Sequence, residues 1–259
     1  SELLEATLPP ERAVSVVAPL LASDLPTVLL WRGGDLDLHG GERVEFLGWA
    51  GLAQRVLVDA HRLHISAGKL AALAQALPRG CSLNDFTWTR LTPWRQLLCQ
   101  GLEVTGGSVH RIRRVTIAGD ETQLAATLFA GWMADKLQWS PLARLDEREL
   151  RLSRAAGGEV HVRFEGGSPY EALLRRLVVE ADEDVVVAIE HRGTRVAMQM
   201  HRGGQVLGEW AGAAEGAELL RGETATLCEE LSIGCADLIF RRALECGLEM
   251  QRCLESSAA

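Results

Sequence analysis

The stretch TVLLWRGGDLDLHGGERVEFLGWAGLAQRVLVDA, residues 27–60, contains one complete strand–helix–strand unit. The short apolar runs at 27–31 and 55–60 are typical of strands that are buried on both faces. Between them, residues 44–54 predict a helix that contains an awkward Gly48, and RGG at 32–34 predicts a loop. Strand, helix and strand in this order favour a parallel sheet with helices on its faces.

The same alternation extends to both sides of this unit. Pro9-Pro10 and Pro26 bracket a helical pattern, and residues 66–77 predict a helix that ends at Pro78-Arg79-Gly80. Residues 111–119 predict another strand, and residues 121–139 predict a strong helix. We therefore expect a mostly parallel α/β domain over residues 1–145.

In the second half of the chain, the apolar residues recur at every second position, as in exposed-face strands, and no longer alternate between strand and helix patterns. Val160, Val162 and Phe164 alternate with polar residues, and residues 184–210 predict three strands with turns at Gly193 and Gly203-Gly204. Residues 217–254 predict a long helical segment. We expect a second domain, residues 146–259, in which an antiparallel meander packs against C-terminal helices, with the boundary in the charged stretch 142–150.

Composition and charge exclude several classes of protein. The 259 residues carry a net charge of −8, which argues against bulk binding to nucleic acid or to an anionic membrane. No apolar run approaches the ~20 residues of a membrane helix, and the first residues lack the order of a signal peptide. We predict a cytoplasmic protein. Because the chain starts without Met and is apolar by residue 3, we also expect a fragment that lacks its first strands.

The sequence contains no motif of a familiar metal, cofactor or catalytic site. It has no Gly-rich phosphate loop, nucleophile elbow or H-E-x-x-H, and the pair His61 and His64 alone is a weak metal signal. We therefore predict no metal and no cofactor.

The six cysteines are at least seven residues apart, which excludes C-x-x-C redox and zinc-finger spacings. On one continuous helix the last four would share a face, where they could form a buried stripe of small side chains. Cysteines seven apart on a helix are ~10 Å apart, so a redox role would need partners elsewhere. The redox candidates are Cys81, Cys99, Cys228, Cys235, Cys246 and Cys253.

The most unusual composition lies in NDFTWTRLTPWRQLLCQ, residues 84–100, which we call the Trp-rich segment. Thr92 and Pro93 predict a helix start, with Thr92 as N-cap, and a shorter helix before it would give a break at Pro93. The tryptophans either belong to the core or, together with the arginines, form a partner interface of the Trp/Arg type. Single-strand nucleic-acid stacking and catalysis fit less well, because the chain is acidic and Asp85 is the only acid of the segment. The candidate partner-binding residues are Trp88, Arg90, Trp94 and Arg95.

Three blocks of the sequence resemble the OpcA family, the glucose-6-phosphate dehydrogenase assembly proteins. They are VVAPLLASDLPTVLLWRGG (16–34), LAQRVLVDA (52–60) and LNDFTWTRLTPWRQLL (83–98), of which the third is the most specific. The chain has Leu30-Trp31 where such families more often have two tryptophans. The resemblance covers about residues 14–139.

This resemblance implies a non-enzymatic partner that forms a hetero-oligomer with glucose-6-phosphate dehydrogenase and activates it allosterically, in the oxidative pentose phosphate pathway. It also implies a redox-responsive regulator whose cysteines are acted on by thioredoxin, although no cysteine matches a family motif. The alternative is a domain, or an enzyme, that binds a sugar phosphate or a nucleotide. Its ligand would lie at the carboxyl ends of the strands, near Trp31–Gly34 or Asp59–His61.

Overall fold

The computed structural model describes residues 10–21, 25–32, 41–104, 108–119, 123–166, 173–182, 184–192, 195–211, 223–232 and 237–256. Its fold is mixed α/β, as the sequence predicts: a small parallel sheet is followed by a large, mostly antiparallel sheet and C-terminal helices.

The small sheet has three parallel strands in the order β1 (Val28–Leu30), β2 (Arg55–Val58) and β3 (Ser82–Asp85). Helices α1 (Pro10–Val17), α2 (Gly41–Ala50) and α3 (Ala67–Ala76) alternate with the strands. The central strand β2 is buried along its whole length, as its apolar run predicts. The prediction that β1 is buried on both faces is wrong: its residues are half-buried, and among the described strands β1 lies at the edge of the sheet beside β2.

The Trp-rich segment forms two helices, α4 (Phe86–Arg90) and α5 (Thr92–Val104), separated at Leu91. The predicted break is therefore present, although it lies two residues before Pro93. Thr92 is already helical rather than an N-cap, and its Oγ1 accepts a hydrogen bond of 2.9 Å from Arg95 Nη2.

The large sheet has eight strands in the order β11-β10-β9-β8-β4-β7-β6-β5. Their bounds are β4 (Ile112–Gly119), β5 (Trp139–Asp146), β6 (Glu149–Arg154), β7 (Glu159–Gly166), β8 (Leu174–Ala181), β9 (Val185–Arg192), β10 (Arg195–Arg202) and β11 (Gln205–Ala211). All neighbours are antiparallel except β4 and β7, which run parallel.

Two segments of this sheet differ from the sequence-based expectation. The strand predicted at 111–119 is present as β4, but it lies inside the large sheet and not in the parallel one. Long-range pairing with β7 and β8 decides its place, and periodicity cannot show such pairing. The charged stretch 142–150 contributes to the β5–β6 hairpin. The domain division at residue 145 stays a prediction.

The hydrophobic core is one cluster. It lies between the large sheet and the helices α5, α6 (Leu124–Leu137) and α8 (Leu238–Glu255), and it continues into the small sheet, to which β2 and α3 contribute. Helices α6 and α8 are in backbone contact at two glycines. A Cβ on Gly131 would overlap the Ala243 carbonyl oxygen, and one on Gly247 would lie 2.6 Å from the Thr127 carbonyl oxygen. Only glycine permits this approach, which places α8 against the buried helix α6.

The predicted C-terminal helical segment is present as two helices, α7 (Glu223–Ser232) and α8. Cys235 lies between them, outside the described residues, so the predicted single face of four cysteines stays untested. In the parts of the chain that the structure describes, no helix is both long enough and apolar enough to cross a bilayer.

Candidate functional site at the carboxyl edge of the parallel sheet

Polar side chains gather where β2 and β3 end. Asp59 directly follows β2, and Asp85 is the last residue of β3. Because parallel strands place their carboxyl ends at one edge of the sheet, both carboxyl groups lie at this edge. Arg90, the last residue of α4, donates two hydrogen bonds to Asp59, from Nη1 to Oδ1 (2.8 Å) and from Nη2 to Oδ2 (2.7 Å). The guanidinium is 3% exposed, so this is a buried, two-point ion pair.

The carboxyl group of Asp85 is fully buried. Its Oδ1 accepts hydrogen bonds from the Ala60 backbone N–H (2.9 Å) and the Thr87 hydroxyl (3.3 Å), whereas its Oδ2 has no partner among the described residues. Burial raises the pKa of Asp85 to about 7, and the nearby Asp59 charge adds to the rise, although the hydrogen bonds oppose it. Near neutral pH, the protonated acid is therefore well populated.

A second group of hydrogen bonds joins β2, β3 and α4 to helix α7. Glu230 is buried, and its carboxylate accepts from Asn84 Nδ2 (2.8 Å) and from the Thr89 hydroxyl. Arg55 Nη1 donates to the Glu230 main-chain oxygen over 2.7 Å. Burial raises the pKa of Glu230. These contacts attach α7 to strands that are more than a hundred residues earlier in the chain.

Trp88 makes the corresponding contact with α8. Its indole Nε1 donates to Asp237 Oδ2 over 2.7 Å, while Asp237 Oδ1 caps the helix by accepting from the N–H groups of Ile239 and Phe240. The Arg95 guanidinium lies 3.5 Å from the centre of a Trp88 ring. Trp88 therefore hydrogen-bonds to the residue that caps helix α8.

The four candidate partner-binding residues are placed mainly inside the protein. Trp88 and Arg90 are each 3% exposed, Trp94 is fully buried in the core, and Arg95 is half-buried. The structure brings all four together within α4 and α5. Their partner-binding role stays a prediction, and most of their contacts lie within the chain.

Sequence reasoning missed the residues to which this segment binds, namely Asp59, Glu230 and Asp237. Two of them are more than 140 positions away from their partners. The available signal was two polar residues, Asn84 and Asp85, directly after the apolar Leu83. Such groups need hydrogen-bond partners when they are buried.

Five of the six cysteines lie in the described part of the chain, and all five are free thiols. Cys99 and Cys228 are exposed, whereas Cys81, Cys246 and Cys253 are half-buried. Desolvation raises the pKa of the Cys81, Cys99 and Cys246 thiols, which lowers their thiolate fraction at neutral pH. Among the residues that the structure describes, no three His, Cys, Asp or Glu side chains are grouped as metal ligands.

Comparison with known families identifies the chain. Residues 81–244 match the family described as the C-terminal domain of the glucose-6-phosphate dehydrogenase subunit, also termed OpcA. The chain belongs to this family. The predicted resemblance is thereby confirmed, and the matched range contains the whole Trp-rich segment together with Glu230 and Asp237.

The OpcA family also includes curated relatives of this chain. OxPP cycle proteins OpcA from Nostoc punctiforme and from a Synechocystis strain are 29% and 26% identical over 136 residues, which is 51% of this chain. The matched region spans 28% of the length of each relative.

Solved structures of oxidoreductases share the fold of this OpcA-family chain. The 3-ketoreductase KijD10 from Actinomadura kijaniata has a TM-score of 0.56 at 11% identity, covering 89% of this chain and 77% of its own. An aldose-aldose oxidoreductase from Caulobacter crescentus has a TM-score of 0.55 at 14% identity, covering 95% and 81%. Biliverdin reductase from Synechocystis has a TM-score of 0.54 at 14% identity, covering 93% and 81%. Identities this low show the fold alone.

Proposed function

We propose that this chain is part of a cytoplasmic, non-enzymatic factor that assembles with glucose-6-phosphate dehydrogenase and activates it allosterically. The observation that carries the proposal is the family match over residues 81–244, whose description names that enzyme. The relatives named for the OxPP cycle support the same role.

The contacts at the sheet edge support a non-enzymatic role. Asp59 is committed to the Arg90 guanidinium, and Glu230 is committed to Asn84 and Thr89. These groups hold α4 and α7 in place, whereas a general acid or base must be able to meet a substrate. The oxidoreductase fold would then serve as a scaffold for protein binding.

We place the enzyme-binding surface at the exposed apolar residues of α7 and α8. Leu231, Leu238 and Ile239 are 49%, 68% and 47% exposed. They lie next to Glu230 and Asp237, the two residues that hydrogen-bond to the Trp-rich segment. We propose that the three side chains form one exposed apolar patch, a feature typical of protein interfaces. We call these three residues the α7–α8 surface.

The buried Trp-rich segment would therefore act on partner binding indirectly. Trp88 holds Asp237, and Asp237 caps the helix whose first residues are Leu238 and Ile239. Arg95 stacks on Trp88 and remains half-buried. Substitutions in α4 and α5 would thus change the presentation of the α7–α8 surface.

Activation requires that the factor bind one conformation of the enzyme more tightly than another. A coupling free energy of ~1–3 kcal/mol would change the enzyme's substrate affinity by about five- to a hundredfold. No chemical step is needed from this chain.

We further propose a redox response through Cys228, in which the thioredoxin dithiol reduces a disulfide between Cys228 and a second cysteine to two thiols and is itself oxidised to a disulfide. Cys228 is exposed and lies three residues before Leu231 on the same helix. Enzyme affinity is compared before and after thiol reduction, and a Cys228→Ser variant serves as the control. Equal affinities in both states would remove the redox response from the proposal.

Binding is tested by co-elution of the purified chain with glucose-6-phosphate dehydrogenase of the same host. A Leu238→Asp substitution should abolish co-elution without unfolding the chain, because the side chain is exposed. Leu142→Asp is the matched control: Leu142 is 52% exposed and lies on β5, far from α7 along the chain. Failure of the unmodified chain to co-elute would contradict the assembly role, and equal loss in both variants would contradict the proposed surface.

A further inference from the structure

Strands β8 and β9 break the apolar–polar alternation of the large sheet. Residues 185–189 of β9 are Val-Val-Val-Ala-Ile, and Leu177, Val178 and Val179 follow one another in β8. A sheet with one solvated face usually alternates apolar and polar residues, whereas continuous apolar runs are typical of strands that are covered on both faces. The sequence of these two interior strands therefore indicates a cover on each face of the sheet.

The described helices α5, α6 and α8 pack on one face of the large sheet, which we call the inner face. In α5, a Cβ on Gly101 would lie 2.7 Å from Met198 Sδ and 2.9 Å from Val187 Cγ1, so this helix is in close contact with β9 and β10. On the opposite, outer face, arginine side chains on three adjacent strands are about half-exposed, namely Arg114, Arg176 and Arg192. In the described part of the chain, the outer face is therefore open to solvent.

The middle of the outer face is uncharged. The strand register places four side chains next to one another across β4, β8, β9 and β10, namely Thr116, Val178, Ala188 and Gln199. All four are half-buried in the single chain. Because β4 and β8 are the two middle strands of the eight, Thr116 and Val178 lie at the centre of the sheet. The cores of protein interfaces are likewise depleted of charged residues, and their rims are polar.

The charged residues around this centre neutralise each other within the chain. Three ion pairs lie on the outer face at distances of 2.9, 3.1 and 2.9 Å, namely Arg163 with Glu149, Arg176 with Glu190, and Arg192 with Glu209. These pairs carry no net charge, although the net charge of the whole chain is −8. Two outer faces can therefore approach each other without bringing unpaired like charges together.

The outer face is also large enough for a stable contact between two folded chains. It has eight strands, six of which are eight residues long. With ~4.8 Å between strands and ~3.3 Å per residue, the face measures roughly 38 Å by 26 Å. That is about 1,000 Å² per copy, which exceeds the ~800 Å² per partner of a standard specific interface.

We propose that the outer face of the large sheet binds the outer face of a second copy of this chain. Most homo-oligomers are two-fold symmetric dimers, in which the same surface of each copy faces the other. Sheets that pack face to face in this way interdigitate their side chains. In the dimer, Thr116 and Val178 lie next to the two-fold axis, and the ion pairs form the rim. Helices α6 and α8 lie on the inner side of each sheet and take no part in the contact.

Sedimentation velocity of the whole chain, without the dehydrogenase, tests the proposal. Across a micromolar concentration series at physiological salt, the unmodified chain should reach a mass of twice 28.2 kDa. Val178→Glu should weaken self-association by about a hundredfold or more, because it brings two like charges together at the centre of the contact. Val104→Glu is the matched control. Val104 is exposed at the end of α5, which packs on the inner face, so this variant should dimerise as the unmodified chain does.

A mixture of two variants distinguishes a lost contact from a lost fold. Val178→Lys alone should also be monomeric, for the same reason as Val178→Glu. An equimolar mixture of the two should recover the dimer mass, because opposite charges then meet near the two-fold axis. Unfolded variants could not recover it.

Three results would overturn the proposal. They are an unmodified chain that stays monomeric over the whole series, a Val178→Glu variant that dimerises as Val104→Glu does, and a mixture of the two Val178 variants that stays monomeric. A monomeric chain whose Val178→Glu variant no longer co-elutes with glucose-6-phosphate dehydrogenase would assign the outer face to the enzyme instead. Because the dehydrogenase is absent from the sedimentation assay, its outcome does not depend on the assembly role.

Discussion

Arg90 in α4 binds Asp59, at the end of β2, through two hydrogen bonds of 2.8 and 2.7 Å. The pair links the Trp-rich segment to the edge of the parallel sheet. Asn84 and Trp88, which precede Arg90 in the chain, hydrogen-bond to the C-terminal part through Glu230 and Asp237. The segment therefore works as a structural junction between three parts of the chain.

Replacing Arg90 by Met should destabilise the protein strongly. The substitution leaves the Asp59 carboxylate without its counter-charge, and breaking such a pair costs ~3–5 kcal/mol. Urea unfolding measures the free energy change. The control Arg79→Met changes an exposed position, so its free energy of unfolding should stay within about 0.5 kcal/mol of that of the unmodified chain. An Arg90→Met variant as stable as this control would show that the ion pair does not hold α4.

Stability should fall as pH rises from about 4 to about 7. The pKa of Asp85 is raised from 3.8 to about 7 in the folded chain, so in this window the folded state keeps a proton that the unfolded state releases. The stabilisation is complete below the lower value and is lost as pH rises through the upper one. The raised pKa of Glu230 acts in the same direction.

Asp85→Asn tests this pH dependence, because the amide has no proton to release. Unfolding free energies measured across the window should give a shallower slope for the variant than for the unmodified chain, with the Glu230 contribution remaining. The same slope in both proteins would mean that Asp85 does not hold a proton in the folded state.

Gly131→Ala should separate helices α6 and α8. The added methyl group would overlap backbone atoms of Ala243 and Gly247, which cannot move aside as a flexible side chain could. Overpacking of this kind costs ~1–3 kcal/mol or more. Gly48→Ala is the matched control in α2, where the nearest atom is Val14 Cγ2 at an ordinary 3.5 Å. Because alanine is favoured over glycine inside a helix, Gly48→Ala should stabilise the folded protein by ~0.5–1 kcal/mol. Equal effects at both glycines would contradict the close helix contact.

Trp94 and Arg95 should respond differently to alanine substitution. Trp94 is fully buried, so its loss should cost ~3–5 kcal/mol of stability. Arg95 is half-buried and stacks on Trp88, so its loss should cost about 1 kcal/mol but weaken enzyme binding. Chemical denaturation and co-elution measure the two effects. A stable Trp94→Ala protein that no longer binds the enzyme would reverse these roles.

The local elements were predictable because their patterns are local. The apolar run of β2, the helix signals around α3 and the alternation in β7 each depend on neighbouring residues. The break between α4 and α5 was also predicted from Thr92-Pro93, although the chain turns at Leu91.

The placement of these elements depends on contacts that sequence periodicity does not contain. Strand β4 was predicted as part of the mostly parallel domain, but its partners β7 and β8 lie roughly 50 to 70 residues later and place it in the large sheet. The candidate site was also only partly predictable, for the same reason. Trp88 and Arg90 were identified as candidates, whereas Asp59 and Asp237 can be recognised as their partners only when the folded chain brings them together.

The assembly role is tested most directly by titrating this chain into glucose-6-phosphate dehydrogenase of the same host while the apparent KM for glucose 6-phosphate is measured. We predict a saturable fall in apparent KM of about five- to a hundredfold. The same fall is expected with Leu142→Asp and none with Leu238→Asp. An apparent KM that stays constant at saturating concentrations of the unmodified chain would contradict the assembly and activation role.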